Sequence, residues 1–314
     1  MVSGQPMIEL ANLRRYFGRT KAVNDISFSV GRGQVCGYIG PNGAGKTTSM
    51  RILATLELPN AGEAYVDGFS VLDDPDRVRR RLGFMPDYFG TYANVSVREY
   101  LDFFARAYGL MGAERQRALR HVMSFTQLDG LADKPTNGLS KGMKQRLCLG
   151  RTMIHDPAVM VLDEPAAGLD PRARIQLREM IRQLAADGKT MLISSHILTE
   201  LAEMCDVVAI IEQGRLLATG SVDEIHQAQQ EHSTVRMSVL GEPGPVAAWL
   251  AGQASVRNVQ VELDRLTFTH EGDEQSEADL LRDLVQAGFR VKSFGSYRKS
   301  LEEVFMKVTE GRVQ

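Results

Sequence analysis

The chain has 314 residues, 43% hydrophobic and 24% charged, enough for two ordinary cores. Its formal net charge of −2 gives no argument for a nucleic-acid partner. Three scattered cysteines, Cys36, Cys148 and Cys205, fit a reducing compartment without a disulfide frame, no basic-flanked apolar core opens the chain, and no apolar run approaches the ~20 residues needed to cross a bilayer.

The first elements are short strands at 8–13, 26–30 and 35–39, separated by turns such as Gly31-Arg32-Gly33. A helix over 47–56 follows, then a strand pair within 63–71. Residues 77–84 run from a helix into a strand end, and the basic stretch Arg77 to Arg81 reads as a solvated helix face. From about 95 to 153 the pattern is helical. Tyr100, Leu101, Phe103, Phe104 and Tyr108 crowd one segment, and Leu119, Val122, Met123 and Phe125 another, both read as core packing. The unbroken apolar run 159–162 predicts a parallel strand buried on both faces. Helix 171–187, strands 190–194 and 207–212, and a hairpin turn at Gly214-Arg215 follow. This alternation predicts an α/β core with a parallel sheet. Beyond Ile225 the composition shifts, and the polar stretch 227–232 reads as a linker or helix end. Strand 235–240, helix 245–252 with Trp249, strands 256–263 and 266–270, helix 276–287, strand 289–294 and helix 301–309 complete the chain. Their β-α-β-β-α-β order predicts a small α+β domain of split, ferredoxin-like type over 223–314, after a first domain over 1–222.

The stretch Gly40-Pro41-Asn42-Gly43-Ala44-Gly45-Lys46-Thr47-Thr48 reads GxxxxGKT between a strand and a helix. Glycines let successive N–H groups point inward, and the helix start adds a positive dipole end, so the segment suits a phosphate. Lys46 can reach β- and γ-phosphate oxygens, Thr47 offers a hydroxyl to Mg²⁺, and Thr48 backs the cradle. Asp163 ends the apolar run 159–162, where a carboxylate can hold Mg²⁺ and its water shell. Glu164 would face the space beyond the γ-phosphate, where it can polarise an attacking water. Ser140 and Gly142 stand at a helix start, able to meet another phosphate or simply to cap the helix. His196, just past Ser194-Ser195, can hydrogen-bond a γ-phosphate oxygen. Asp170 can serve the site and cap the helix starting at Pro171. Tyr16 and Phe17 offer rings to stack on adenine.

Together these segments make residues 7–222 resemble the nucleotide-binding subunit of an ABC transporter. GPNGAGKTT stands as Walker A, LSKGM as the signature, VMVLDEP as Walker B, AGLD as the D-loop and SSH as the switch histidine. The ending SLEEVFMKV is similar to the extension of ABC-2 type exporter ATPases. The resemblance implies a P-loop ATPase core with an antiparallel N-terminal β subdomain and a helical signature subdomain at about 88–155. It implies ATP and Mg²⁺ as cofactors, and a head-to-tail dimer that seals ATP between Walker A of one subunit and the signature of the other. A homodimer or a paralogue would supply the second subunit, with ABC-2 type permease subunits in the membrane and the chain peripheral on its cytoplasmic face. The segment 88–108 would dock their coupling helices. Two departures stand out. Lys141 and Met143 replace the usual Gly and Gln of the signature, with Lys141 adding positive charge near the γ-phosphate. Asp87 occupies the slot where the family places a Gln beside Mg²⁺; a carboxylate ligates Mg²⁺ but repels the γ-phosphate without it, which predicts retained activity with altered metal dependence. A soluble ATP-gated switch is the alternative reading; the single cassette favours transport. A P-loop kinase is disfavoured by the signature helix and His196.

Overall fold

The computed structural model describes residues 5–88, 90, 94–195, 201, 204–221, 224–225, 233–263 and 265–297. They divide between two compact units, one within Met1–Val222 and one within Asp223–Val304.

In the first unit β1 (Ile8–Phe17) and β2 (Thr20–Val30) form a hairpin that continues into β4 (Ala61–Val66) and β5 (Phe69–Ser70), all antiparallel, in the order β2-β1-β4-β5. Ile8, Leu10 and Leu13 of β1 are buried with Val23, Ile26, Phe28 and Val30 of β2. Both strands are longer than their apolar alternation predicts. Asn12 (φ 48°) and Asp25 (φ 73°) sit in left-handed bulges that shift the pairing, so the in/out pattern breaks while the strand continues.

The second sheet of this unit runs β10-β9-β3-β8-β7-β6. β3 (Val35–Ile39), β6 (Leu82–Met85), β7 (Val159–Leu162), β8 (Thr190–Ser195) and β9 (Val207–Glu212) are mutually parallel, and β10 (Arg215–Ser221) pairs antiparallel with β9. β3, β7 and β8 are buried along their whole length, which is why they read as unbroken apolar runs. The β9–β10 turn is Gln213-Gly214, one residue earlier than expected; both have positive φ, 50° and 73°, as a two-residue type I′ turn requires. Helices α1 (Lys46–Leu53), α2 (Pro75–Arg81) and α6 (Pro171–Ala186) belong to this layer. α1 stops three residues short of expectation, with Ala54 as its cap and Thr55 at φ 59°.

Between β6 and β7 lie α3 (Val97–Ala107), α4 (Gly112–Phe125) and α5 (Lys141–Met153). A reciprocal Ser96–Glu99 capping box starts α3. Tyr100, Leu101 and Ala105 of α3 pack inward with Leu119, Val122 and Met123 of α4. The aromatic cluster is not wholly core, since Phe103 is 60% exposed and Tyr108 39%. Gly150 of α5 faces Val122 so closely that a Cβ would approach its methyl to 2.9 Å.

The second unit has β11 (Ser233–Val239), α7 (Pro243–Ala251), β12 (Val256–Glu262), β13 (Arg265–His270), α8 (Glu274–Gln286) and β14 (Val291–Tyr297). The sheet order β12-β13-β11-β14 is antiparallel throughout, the split arrangement in which the first and third strands are central. Val235, Met237 and Val239 of β11 and Leu266 and Phe268 of β13 share a core with Val246 and Leu250 of α7 and Leu280 and Leu284 of α8. α8 starts earlier than expected because the Asp273 carboxylate caps it, accepting the Ser276 N–H at 2.9 Å. Phe289 precedes β14 and packs edge-on against Trp249. The expected helix 301–309 and the linker 227–232 lie outside the described residues.

Candidate nucleotide site

The C-terminal ends of β3, β6 and β7 lead into one hollow of about 360 Å³, the position at which parallel α/β sheets present their ligands. β3 runs into the phosphate loop. Gly43 and Gly45 hold φ of 82° and 100°, which side chains disfavour, and a Cβ on Gly45 would run into the Ala22 carbonyl of β2. The loop is braced from outside: Gly214 N–H donates to the Ala44 carbonyl at 3.0 Å, and Asn24 N–H to the Gly214 carbonyl at 2.7 Å. Asn42, Gly43, Ala44, Gly45, Lys46, Thr47 and Thr48 all line the hollow, where α1 begins and its unpaired N–H groups and positive dipole end favour an anion.

Lys46 is nearly buried, and its ammonium donates to the Gly40 and Pro41 carbonyls at 2.6 and 3.2 Å. Burial lowers its pKa, an effect that the negative charges of Glu164 and Asp163 oppose. Across the hollow, β6 and β7 pair in parallel with Met85 beside Leu162, so Asp87 and Glu164 each stand two residues past the paired ends. The Asp163 N–H donates to the Met85 carbonyl at 2.8 Å and locks this register. Glu164 takes a left-handed φ of 47° and brings Oε1 to 3.8 Å from Lys46 Nζ. Such a conformation in a non-glycine residue is held only by its surroundings. Here the support is Ser194 at the end of β8. Its hydroxyl donates to Asp163 Oδ1 at 2.6 Å and accepts the Glu164 N–H at 2.8 Å.

Asp163 is fully buried. Burial raises its pKa, hydrogen bonds from Ser194 and Thr47 pull it down, and the charges of Asp87 and Glu164 push it up. Its Oδ2 is buried without a hydrogen-bond partner. An orphaned carboxylate oxygen beside a threonine hydroxyl and further carboxylates is a donor set of the hard-oxygen kind that Mg²⁺ accepts. Among the described residues no group of three or more His, Cys, Asp or Glu forms a closed cage. That is consistent with Mg²⁺, which is usually held by one or two carboxylates together with substrate phosphates.

Of the aromatic pair, Phe17 lines the hollow, with the Arg15 guanidinium 4.5 Å from its ring centre. Tyr16 does not line it; successive strand residues face opposite ways, and its hydroxyl lies 3.2 Å from the Asn24 amide. His196 lies outside the described residues. Ser140, Gly142 and Asp170 meet in a different hollow, of about 160 Å³. Ser140 caps α5 by accepting the Met143 N–H at 3.3 Å, and Asp170 caps α6 by accepting the Ala173 N–H at 2.9 Å. A Cβ on Gly142 would lie 3.0 Å from the Ala173 Cβ, so any larger residue would require the two helix starts to give by a few tenths of an ångström. The Lys141 ammonium lies against Gly168. The two hollows share no lining residue among the described residues, so the two sets stand in separate hollows.

Motif reading missed Ser194 as a tether of both carboxylates. Its only signal was a hydroxyl ending a buried strand next to the Asp163 strand, and the adjacency of β7 and β8 is not visible in the sequence. Thr20 and Ala22, which form the hollow's wall on β2, carried no signal at all. Size does not identify the site either. A larger hollow of about 510 Å³ lies between α4, α6 and the α5–β7 junction; on its rim Lys189 pairs with Asp156 at 2.5 Å.

Residues 23–167 match the family described as ABC transporter, and residues 220–309 match the DrrA1-3-like C-terminal domain of ATP-binding proteins. The chain is 34% identical over 309 residues to a Nod factor export ATP-binding protein I of Ralstonia nicotianae, covering 98% of this chain and 95% of that one. It is also 34% identical over 222 residues to a protein named as a probable multidrug ABC transporter ATP-binding protein, YbhF, of Escherichia coli, covering 71% of this chain and 38% of the relative. A solved ATP-binding subunit of an ABC transporter superposes with a TM-score of 0.65 at 32% identity, over 71% of this chain and 92% of that one. With the phosphate loop, the paired carboxylates and the separate signature hollow in place, the chain belongs to the ABC transporter family as one of its ATP-binding ATPase subunits, with a DrrA-like C-terminal domain.

Proposed function

We propose that this chain hydrolyses ATP in a site completed by a second subunit and thereby drives export through separate membrane-spanning subunits. The observation that carries the chemistry is Glu164 held 3.8 Å from Lys46 across the hollow, with its backbone fixed by Ser194. Backbone N–H groups of the loop and Lys46 bind the β- and γ-phosphates. Thr47 and Asp163 hold Mg²⁺, with Asp87 as a further oxygen donor. The bound cation offsets charge on the phosphate oxygens. Glu164 orients a water and accepts its proton as the water oxygen bonds to the γ-phosphorus. The bond from that phosphorus to the β–γ bridging oxygen breaks, releasing ADP and phosphate. Phe17 stacks on the adenine, and His196 holds a γ-phosphate oxygen.

A twofold homodimer would place Ser140 and Gly142 of one copy over the phosphate loop of the other, with Asp170 of the D-loop at the same junction. This reading is supported by the two hollows sharing no lining residue within one chain. Export is supported by the Ralstonia relative, a Nod factor export ATP-binding protein that aligns over almost the whole chain. Among the described residues no helix is long and apolar enough to cross a membrane, so the conduit is assigned to ABC-2 type permease subunits, with this chain on the inner face of the membrane. The coupling surface is assigned to the segment 88–108, beside a hollow of about 280 Å³ lined by Leu56, Arg79, Phe104, Tyr108 and Arg151.

The test is equilibrium ATP binding and steady-state hydrolysis. Lys46→Ala is expected to weaken ATP binding at least tenfold, and Glu164→Gln to bind ATP normally while losing ~10²-fold or more in turnover. Normal turnover in Glu164→Gln would remove Glu164 as the base.

A further inference from the structure

We infer that Asp87 makes nucleotide capture conditional on a divalent cation, so that this hollow takes up a nucleoside triphosphate as its metal complex and excludes the free polyanion. This rests on the nucleotide reading above and adds a selection step to it. Three carboxylates, Asp87, Asp163 and Glu164, line or back the hollow, and one ammonium, Lys46, faces them. Lys46 is already engaged by Glu164 and by two loop carbonyls. Asp163 has hydroxyl partners in Ser194 and Thr47. Asp87 accepts only a backbone donor, the Tyr88 N–H at 2.8 Å, and among the described residues no Lys, Arg or His pairs with it.

The register of the sheet puts that charge where it acts. Asp87 follows β6 as Glu164 follows β7, on neighbouring strands ~4.8 Å apart, and both side chains line the same hollow as Lys46 and Thr47. Its charge is felt inside, since it acts on the buried Asp163 carboxyl. An incoming triphosphate carries several negative charges into a site whose carboxylates already outnumber its cations. A divalent ion between them turns the Asp87 and Asp163 repulsions into ligation. A neutral amide of similar size at position 87 would still offer an oxygen to the metal but would not repel the free nucleotide.

The experiment measures ATP affinity of the full-length protein by calorimetry, once with excess MgCl2 and once with EDTA, for wild type, Asp87→Asn and Asp87→Gln. Wild type is expected to bind ATP at least ~30-fold more weakly in EDTA. Both variants should narrow that ratio about tenfold, and the change that carries the inference is tighter metal-free binding, whatever the lost carboxylate ligand costs the Mg²⁺-supported affinity. A ratio unchanged in both variants, or narrowed only through weaker Mg²⁺-supported binding, overturns the inference. So does a wild type that binds equally in the two conditions, which leaves the nucleotide reading standing. Failure of wild type to bind ATP in either condition removes the nucleotide reading, and the inference with it.

Discussion

Replacing Ser194 by alanine removes one oxygen that serves two carboxylate residues at once. Its hydroxyl donates to Asp163 Oδ1 at 2.6 Å, a bond to a charged group worth about 1.5–3 kcal/mol. The same oxygen accepts the Glu164 N–H at 2.8 Å, and a buried donor left unpaired costs about 1–3 kcal/mol. Ser194 itself is fully buried, so water does not simply take its place. Allowing for relaxation at the partly exposed Glu164, Ser194→Ala should lose about 2–4 kcal/mol in urea unfolding near neutral pH. A second readout follows from the Asp163 carboxyl. Its pKa is already raised by burial, and Ser194 is one of the hydrogen bonds holding it down, so the substitution raises it further. Metal ligation requires the carboxylate; it is present above the folded-state pKa and lost as pH falls through it. Ser194→Ala should therefore lose Mg²⁺-supported ATP binding at a higher pH than wild type, and Ser194→Thr, which keeps a hydroxyl, should restore most of the difference. A Ser194→Ala protein within about 0.5 kcal/mol of wild type and with the same pH profile would refute the tethering role.

Gly45→Ala places a side chain at φ 100° with its Cβ in the Ala22 carbonyl, so the loop and β2 must separate. Nucleotide affinity should fall at least about tenfold and stability by roughly 2 kcal/mol or more, read by calorimetry and urea unfolding; unchanged binding would show that the loop tolerates another path. His155 stacks on Tyr108 with ring centres 3.7 Å apart, and burial lowers its pKa from 6.5 to about 4, against a smaller opposing effect from the Leu82 carbonyl. A histidine with a depressed folded-state pKa stabilises the fold fully above about pH 6.5, and that stability is lost as pH falls towards 4. The loss should approach roughly 2–3 kcal/mol, and His155→Phe should flatten that part of the pH–stability curve; an unaltered curve would contradict it.

The phosphate loop and the carboxylate pair were legible because their chemistry is local: a glycine-rich turn between a strand and a helix, and two acids ending an apolar run. The parallel core was legible because strands buried on both faces, such as β7 and β8, leave no polar positions to confuse the pattern. The antiparallel sheet was read short because the bulges at Asn12 and Asp25 break the alternation that marks a strand. Tyr16 and Phe17 could not be separated from sequence, since only the pleat decides which ring faces the hollow. Ser194 was missed for a related reason, because its partners lie 31 and 30 residues away on or just beyond a neighbouring strand. Within its own chain the Lys141 side chain lies against Gly168, a contact that spacing does not encode.

The most direct measurement of the composite site is the solution mass of the Glu164→Gln protein by light scattering, with and without ATP and MgCl2. One-chain mass is expected without nucleotide and twice that mass with it, with the doubling abolished by Ser140→Ala while ATP binding to the single chain persists. A protein that stays at one-chain mass under saturating MgATP, while its wild-type counterpart hydrolyses ATP at an undiminished rate per chain at every dilution, would contradict it.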